Sequence, residues 1–204
     1  MMLAFGMASA LLHANISGKG QVIDCAMTDG SALLAGMTWG FKAMGRWQDQ
    51  PGVNFLDGGA HFYDTYTCAD GQFISIGSIE PQFSALLREK AGLTEDKDFD
   101  AQHDPRQWGP LKDKLTALFA SKTRDQWCAI MEMTDICFAP VLSMDEAPNH
   151  PHNVARETFL EVGGAVQPAP APRYSDTVND TPMAAPLVGA DSDALLSSLG
   201  YSSD

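Results

Sequence analysis

The sequence predicts an α+β fold, and three observations carry that reading. Two β-prone runs, 63–67 and 72–76, flank Asp70-Gly71, a turn dipeptide suited to a hairpin. A second hairpin signal, Gly163-Gly164, separates the runs 158–162 and 165–167. Between the hairpins lie two helical patterns, at about residues 106–120 and 123–133, the latter opened by Thr123 and Gln126 at capping-box spacing. A chain of 204 residues, 45% hydrophobic and 19% charged, can bury a core as one large domain or as one small domain with appendages.

Taken in order, the first stretch is Met1 to Leu12, apolar on every side. It lacks the basic flank of a signal peptide and is too short to cross a bilayer as a helix. A helix apolar all round is ordinarily buried in a large protein, so this one reads as part of a core whose cover comes from elsewhere. Ser17–Gly20 is a turn and Gln21–Asp24 a short β-prone run. Met27–Met44 reads as a second apolar helix, with Ala32, Ala35, Gly36 and Ala43 allowing close packing. Residues 45–61 carry Gly45, Pro51, Gly52, Gly58 and Gly59 without periodicity, which marks a crossing segment.

After the first hairpin, Pro81 suits the first position of a helix, and Gly92 suits its C′ stop. Asp96–Asp100 reads as a solvated loop. Beyond the two central helices, Cys137–Leu142 reads as a strand, followed by a short helical piece around 144–147 and another after Asn149–Asn153. Pro168–Pro172 is an extended linker, because each residue before a proline is biased away from helix. Asp191–Gly200 reads as a capped amphipathic helix ending in glycine.

The charge balance removes whole classes of function. A formal net charge of −13 repels phosphate backbones and anionic membrane surfaces, so neither nucleic acid nor a membrane is an expected partner. Four scattered cysteines, Cys25, Cys68, Cys128 and Cys137, show no paired spacing and read as reduced thiols of a cytoplasmic protein. No metal site is expected: His150 and His152 flank a proline, with no acid or thiol at ligand spacing. His61 and His103 fall in loops and read as solvated or locally hydrogen-bonded, while His13 could cap the end of the first helix. Ser31 has no histidine or aspartate partner at a suggestive spacing. Among the ten methionines some could line a greasy surface, but Met27, Met37 and Met44 at helical positions read as ordinary core.

One acid stands apart. In Gly77-Ser78-Ile79-Glu80-Pro81-Gln82-Phe83, Glu80 sits where a predicted strand hands over to a predicted helix. The helix dipole favours a negative charge there, and taken alone Glu80 is a capping acid.

Larger segments place it in a context. Ser17–Asp24, Asp57–Ala60, Cys68–Gly71, Ile79–Phe83, Ala139–Val141, His150–Ala155 and Gln167–Arg173 occur in an order that closely resembles the class III CoA-transferase superfamily. Within it, the resemblance is to racemases of 2-methylacyl-CoA thioesters. It runs from Met1 to about Gly200 and covers the family's C-terminal part, somewhat over half of a full-length member. The implied fold is α/β plus α+β: a small α+β domain with pieces of a large α/β domain on either side, in an interlocked homodimer. Residues 1–44 would be the tail of the large domain and 45–61 a linker. Residues 62–145 would form the small domain, 146–175 the returning linker with its hairpin, and 176–204 the C-terminal piece of the large domain.

The resemblance also implies the chemistry. Racemisation at C2 of an acyl-CoA thioester uses two acid/base groups on opposite faces of the carbon, and donors must hold the enolate between them. In the family these groups are a histidine and an aspartate of the N-terminal half. Glu80 matches the glutamate that the partner's small domain lends to that histidine, raising its pKa and fixing its tautomer. Ile79 would help wall the acyl site, or serve as a core isoleucine. Coenzyme A belongs to the substrate and no separate cofactor is expected; Ser17–Gly20 reads as a turn rather than a phosphate loop. The 204 residues alone lack the acid/base pair, so this chain by itself is expected to be inactive. Two alternatives stand beside the racemase: a CoA-transferase passing the thioester to a carboxylic acid, and a non-catalytic dimerisation partner. Transferases of the superfamily carry a run of glycines where this chain has Gly77-Ser78-Ile79-Glu80, which favours the racemase.

Overall fold

The alternation that predicts the first hairpin also dictates its packing. In a computed structural model, which describes residues 1–201, the chain divides after Pro140 into two compact units. In the first, β1 (Tyr63–Thr67) and β2 (Phe73–Gly77) pair antiparallel, with Tyr63 opposite Gly77 and Thr67 opposite Phe73. The turn closes through a 2.8 Å hydrogen bond from the Cys68 N–H to the Gln72 carbonyl, with Gly71 at a φ of 76° that glycine adopts without steric cost. A third strand, β3 (Phe138–Val141), joins β2 to give the order β1-β2-β3.

Tyr66, Ile74 and Ile76 are buried, and the helices of this unit supply the rest of the same core. α4 (Pro81–Ala91) contributes Leu87. α5 (Pro105–Phe119) contributes Leu111, Leu115 and Phe119 at four-residue spacing, and α6 (Arg124–Met131) contributes Trp127 and Met131. The capping box forms as the spacing predicts: Thr123 Oγ1 accepts from the Gln126 N–H at 3.3 Å, and Gln126 Oε1 accepts from the Thr123 N–H at 3.0 Å.

Several local readings need correction. Asp96–Asp100 is not a solvated loop. It holds a 3₁₀ turn, Lys97–Ala101, that drives Phe99 into the core while Lys114 pairs with Asp96 and Asp98 outside. Met27–Met44 is two helices, α2 (Met27–Leu34) and α3 (Gly36–Ala43), which meet at Ala35. The break falls beside Gly36, a residue with poor helix propensity. Gln21–Asp24 forms no strand, since no backbone among the described residues pairs with it; Ile23 lies against α1 (Met2–Ser17), where its Cγ2 sits 3.3 Å from the place a Gly6 Cβ would occupy. The end of α1 is met by the Gly18 N–H and Ser17 Oγ rather than by His13. Met27, Met37 and Met44 are exposed, as are Leu3, Phe5, Leu11, Leu12 and Ile16 of α1, so none of these is core within the described residues.

The crossing segment is pinned by its own side chains. Buried Asn54 accepts from the Gln48 N–H at 2.7 Å and donates to the Gln48 and Gln50 carbonyls and to Asp57 Oδ2. Asp57 in turn accepts from the N–H groups of Asn54 and Gly52. Gly59 closes this knot so tightly that a Cβ would lie 2.5 Å from the Asn54 carbonyl oxygen. Gly59→Ala should therefore cost about 1–3 kcal/mol, as overpacking does, and lower the urea midpoint. An unchanged midpoint would mean that the knot yields freely.

In the second unit, a 3₁₀ turn at Ala147–Asn149 replaces the helical piece expected at 144–147, starting beside Pro148. α7 (Pro151–Ala155) follows, its first turn capped by His150 Nδ1, which accepts from the His152 N–H at 3.3 Å. β4 (Phe159–Val162) and β5 (Ala165–Pro168) pair antiparallel across Gly163-Gly164, both at positive φ. α8 (Ser192–Ser198) starts without a side-chain cap from Asp191, contrary to the expected capping, and gives way to Gly200 at positive φ. Residues 202–204, the end of the stretch assigned to the C-terminal piece, lie outside the described residues. No helix among the described residues is long and apolar enough to cross a membrane.

Candidate functional site

The segment from Gly77 to Glu80 is held from three directions. The Gly77 N–H donates to the Cys137 carbonyl at 2.8 Å, extending the pairing beyond β2. Ser78 is fully buried and its hydroxyl donates to the Ile136 carbonyl at 2.6 Å. The buried Gln102 amide donates to both the Ser78 and Ile79 carbonyls, at 2.9 and 3.0 Å. Burying polar groups this way costs little only because each finds a partner. The result is a short, fixed ledge between strand and helix.

Glu80 stands at the end of this ledge with extended backbone (φ −74°, ψ 148°) as the N-cap of α4, and Pro81 occupies the first helical position. Its side chain makes no capping hydrogen bond and is exposed. The plain capping role is thus not what this carboxylate performs. It is presented outward at the positive end of an eleven-residue helix on a backbone that cannot drift. Ile79, half-buried, sits one residue before it on the same ledge. Cys137 lies close by: burial first, then the charges of Glu80 and Asp135, push its thiol above the usual range, so it is no activated nucleophile.

Beside the ledge, Leu56, Tyr63, Asp64, Ser75, Gly77 and Cys137 line a cavity of about 460 Å³. Gly77 lies beside the Tyr63 ring, which would be in ordinary van der Waals contact at 3.5 Å with a Cβ at this position. Lys112 bridges the cavity wall to the crossing segment, pairing with Asp64 at 2.7 Å and donating to the Gly58 carbonyl. Sequence reasoning missed Gln102 and this lysine, because both act across more than twenty residues of chain. The Asn54–Asp57 pair did leave a local signal, an amide and an acid three residues apart in a glycine-rich stretch.

The remaining candidates separate. His61 is buried rather than solvated, with Nδ1 unpartnered, while His103 is exposed as expected. All four cysteines are free. No cluster of metal-ligating side chains occurs among the described residues. In the second unit a cavity of about 600 Å³ is lined by Phe159, Leu160, Arg173, Tyr174, Asn179 and Asp180, and none of the sequence-predicted site residues faces it.

The match that decides the lineage extends over almost all of this architecture: the model of CoA-transferase family III fits residues 1–192. The chain belongs to CoA-transferase family III. Among curated family members, the mouse alpha-methylacyl-CoA racemase is 39% identical, with 100% of this chain and 54% of that protein covered. The human alpha-methylacyl-CoA racemase is 38% identical, with 99% and 53% covered. The chain therefore spans about half the length of the curated relatives it matches. A solved CaiB/BaiF family protein from Brucella suis superposes with a TM-score of 0.66 at 23% identity, covering 96% of this chain and 52% of that one. Rv3272 from Mycobacterium tuberculosis gives the same TM-score at 22% identity, covering 87% and 46%. At these identities the two structures show a shared fold.

Proposed function

We propose that this chain forms the C-terminal part of an enzyme that inverts C2 of 2-methylacyl-CoA thioesters by two-base proton transfer. The observation that carries the reading is Glu80: an exposed carboxylate with no capping bond, on a ledge fixed by Gln102, Ser78 and the Gly77–Cys137 pairing. A carboxylate so presented is suited to accept from an imidazole N–H, fixing its tautomer and favouring its protonated form. The histidine and aspartate that trade the C2 proton come from the family's N-terminal half, and the glutamate is lent across an interlocked homodimer. Ile79 walls the acyl group. Coenzyme A arrives as part of the substrate, with no separate cofactor.

Identity of 38–39% to two racemases supports this reading over acyl transfer to a free acid. The test follows the C2 proton. A protein joining these residues to the family's histidine and aspartate should exchange that proton of a 2-methylacyl-CoA for solvent deuterium, and Glu80→Gln should slow exchange about 10²-fold, within the usual worth of acid–base assistance. The 204-residue chain alone should exchange nothing. Acyl transfer to a free acid without exchange would move the protein to the transferase class, and exchange by the 204 residues alone would refute the assigned roles.

A further inference from the structure

Ile79 also borders a second cavity, of about 400 Å³, whose other lining residues the racemisation reading leaves unassigned. Its walls are aromatic: Phe55, Phe62 and Trp108. These rings are locked. Phe55 meets Phe41 edge-on at 5.0 Å, and Phe62 meets Trp108 at 6.0 Å and His103 at 5.5 Å, also edge-on. The Trp108 indole N–H donates to the Gln102 carbonyl at 2.9 Å, which fixes the plane of that wall. Rigid rings in place before binding spare a ligand the cost of ordering them.

The polar members of the cavity are Arg46 and His103. The chain holds 26 acidic residues against 13 basic ones, and Lys42, Arg88, Lys90, Arg106, Lys112 and Lys114 all face carboxylates within 3.1 Å. The Arg46 side chain makes no ion pair or hydrogen bond within the described residues, despite this surplus of acids. Its planar fork, five donors wide, is open beside an aromatic cup.

We propose that this cavity binds a small, flat, apolar molecule bearing one oxyanion, with its ring body between Phe55, Phe62 and Trp108 and its anion on Arg46. His103 supplies a second donor. Aromatic walls favour a planar body that stacks or meets them edge to face. A single guanidinium matches one carboxylate-like group in a two-bond fork. A volume of about 400 Å³ lies near the lower end for small-molecule sites, enough for one or two fused rings. A polyphosphate would need more cations than the single guanidinium that lines the cavity. Binding here is independent of the role given to Glu80, so it stands or falls without racemase activity.

The test is calorimetric titration of this chain with 2-naphthoate, with neutral 2-naphthalenemethanol as control. Saturable naphthoate binding is expected. Arg46→Gln, at an exposed position, should weaken it about tenfold, the worth of one charge-assisted pair, and leave the alcohol's affinity unchanged. The indole N–H resonance of Trp108, assigned through Trp108→Phe, should move as naphthoate is added. Equal naphthoate affinity in Arg46→Gln would overturn the proposal. So would absence of saturable binding, or saturation while the Trp108 signal stays still, which would place the ligand elsewhere, such as on the exposed apolar helices α1–α3.

Discussion

Trp127→Ala is expected to cost about 3–5 kcal/mol, enough to unfold much of the first unit if its stability is that of an ordinary domain. The indole is 1% exposed and does three things at once. Its ring meets Phe119 edge-on at 5.2 Å, and Phe119 in turn lies against Tyr66 at 5.1 Å, so the contact ties α6 and α5 to the sheet. The indole N–H donates to the Phe119 carbonyl at 2.9 Å, satisfying a group at the end of α5 that has no partner further along the helix. The Lys122 ammonium rests over the ring at 4.7 Å. Alanine removes all three and leaves a cavity that buried neighbours such as Leu115 and Met131 cannot easily fill. Trp127→Phe separates the contributions: it retains most of the packing and orphans the carbonyl, so about 1–2 kcal/mol should be lost. Urea unfolding measures both. A loss under about 1 kcal/mol for alanine would mean that the helices pack on the sheet without this side chain.

Elements with a strong local signature were legible in the sequence. The first hairpin, the capping box at Thr123 and the glycine pair at 163–164 each act over a few residues, so composition and spacing sufficed. The failures have a common cause in contacts made far along the chain. Asp96–Asp100 reads as solvated by composition, but one phenylalanine in it finds the core and Lys114 neutralises its flank. Helix periodicity runs across 27–44, and the one local mark of the break at Ala35 is the poor helix propensity of Gly36.

The candidate site divides the same way. Pro81 and the strand before it placed Glu80 at a helix start, which the structure bears out. What turns that residue into a presented carboxylate is Gln102, reaching back twenty-four residues to Ser78, and Ser78 reaching forward to Ile136. A glutamine before a helix carries no local mark of such a task. Capping is the natural local reading of Glu80, yet its side chain makes no hydrogen bond to the helix N–H groups.

His61 is the clearest case of a loop residue claimed by tertiary structure, and it leads to an acid-lability prediction. Glycines at 58 and 59 signal a loop, but the Asn54–Asp57 knot turns the chain inward, and Ala60, His61 and Phe62 are all buried. The imidazole packs against Phe62 at 5.2 Å and Phe99 at 5.7 Å, with Nδ1 unpartnered, and Tyr66 donates to the His61 backbone carbonyl rather than to the ring. Burial first, then the nearby charges of His103 and Lys112, disfavour the imidazolium and lower the pKa from 6.5 to about 4. The folded state therefore binds fewer protons than the unfolded chain between those values. The stability this neutral ring permits is complete above pH 6.5 and is lost progressively as pH falls to about 4, a change of about 3 kcal/mol. Asp57 acts in a lower window. Burial would raise its pKa, but hydrogen bonds from Asn54, Gly52 and Gly59 outweigh it, so its contribution disappears only below the ordinary carboxylate value of 3.8. Urea midpoints measured from pH 7 to pH 4 should fall for the native chain and stay nearly flat for His61→Gln, provided that variant first shows a cooperative transition at pH 7. Parallel slopes in the two proteins would assign the acid loss to other groups and return His61 to the solvated role its sequence suggests.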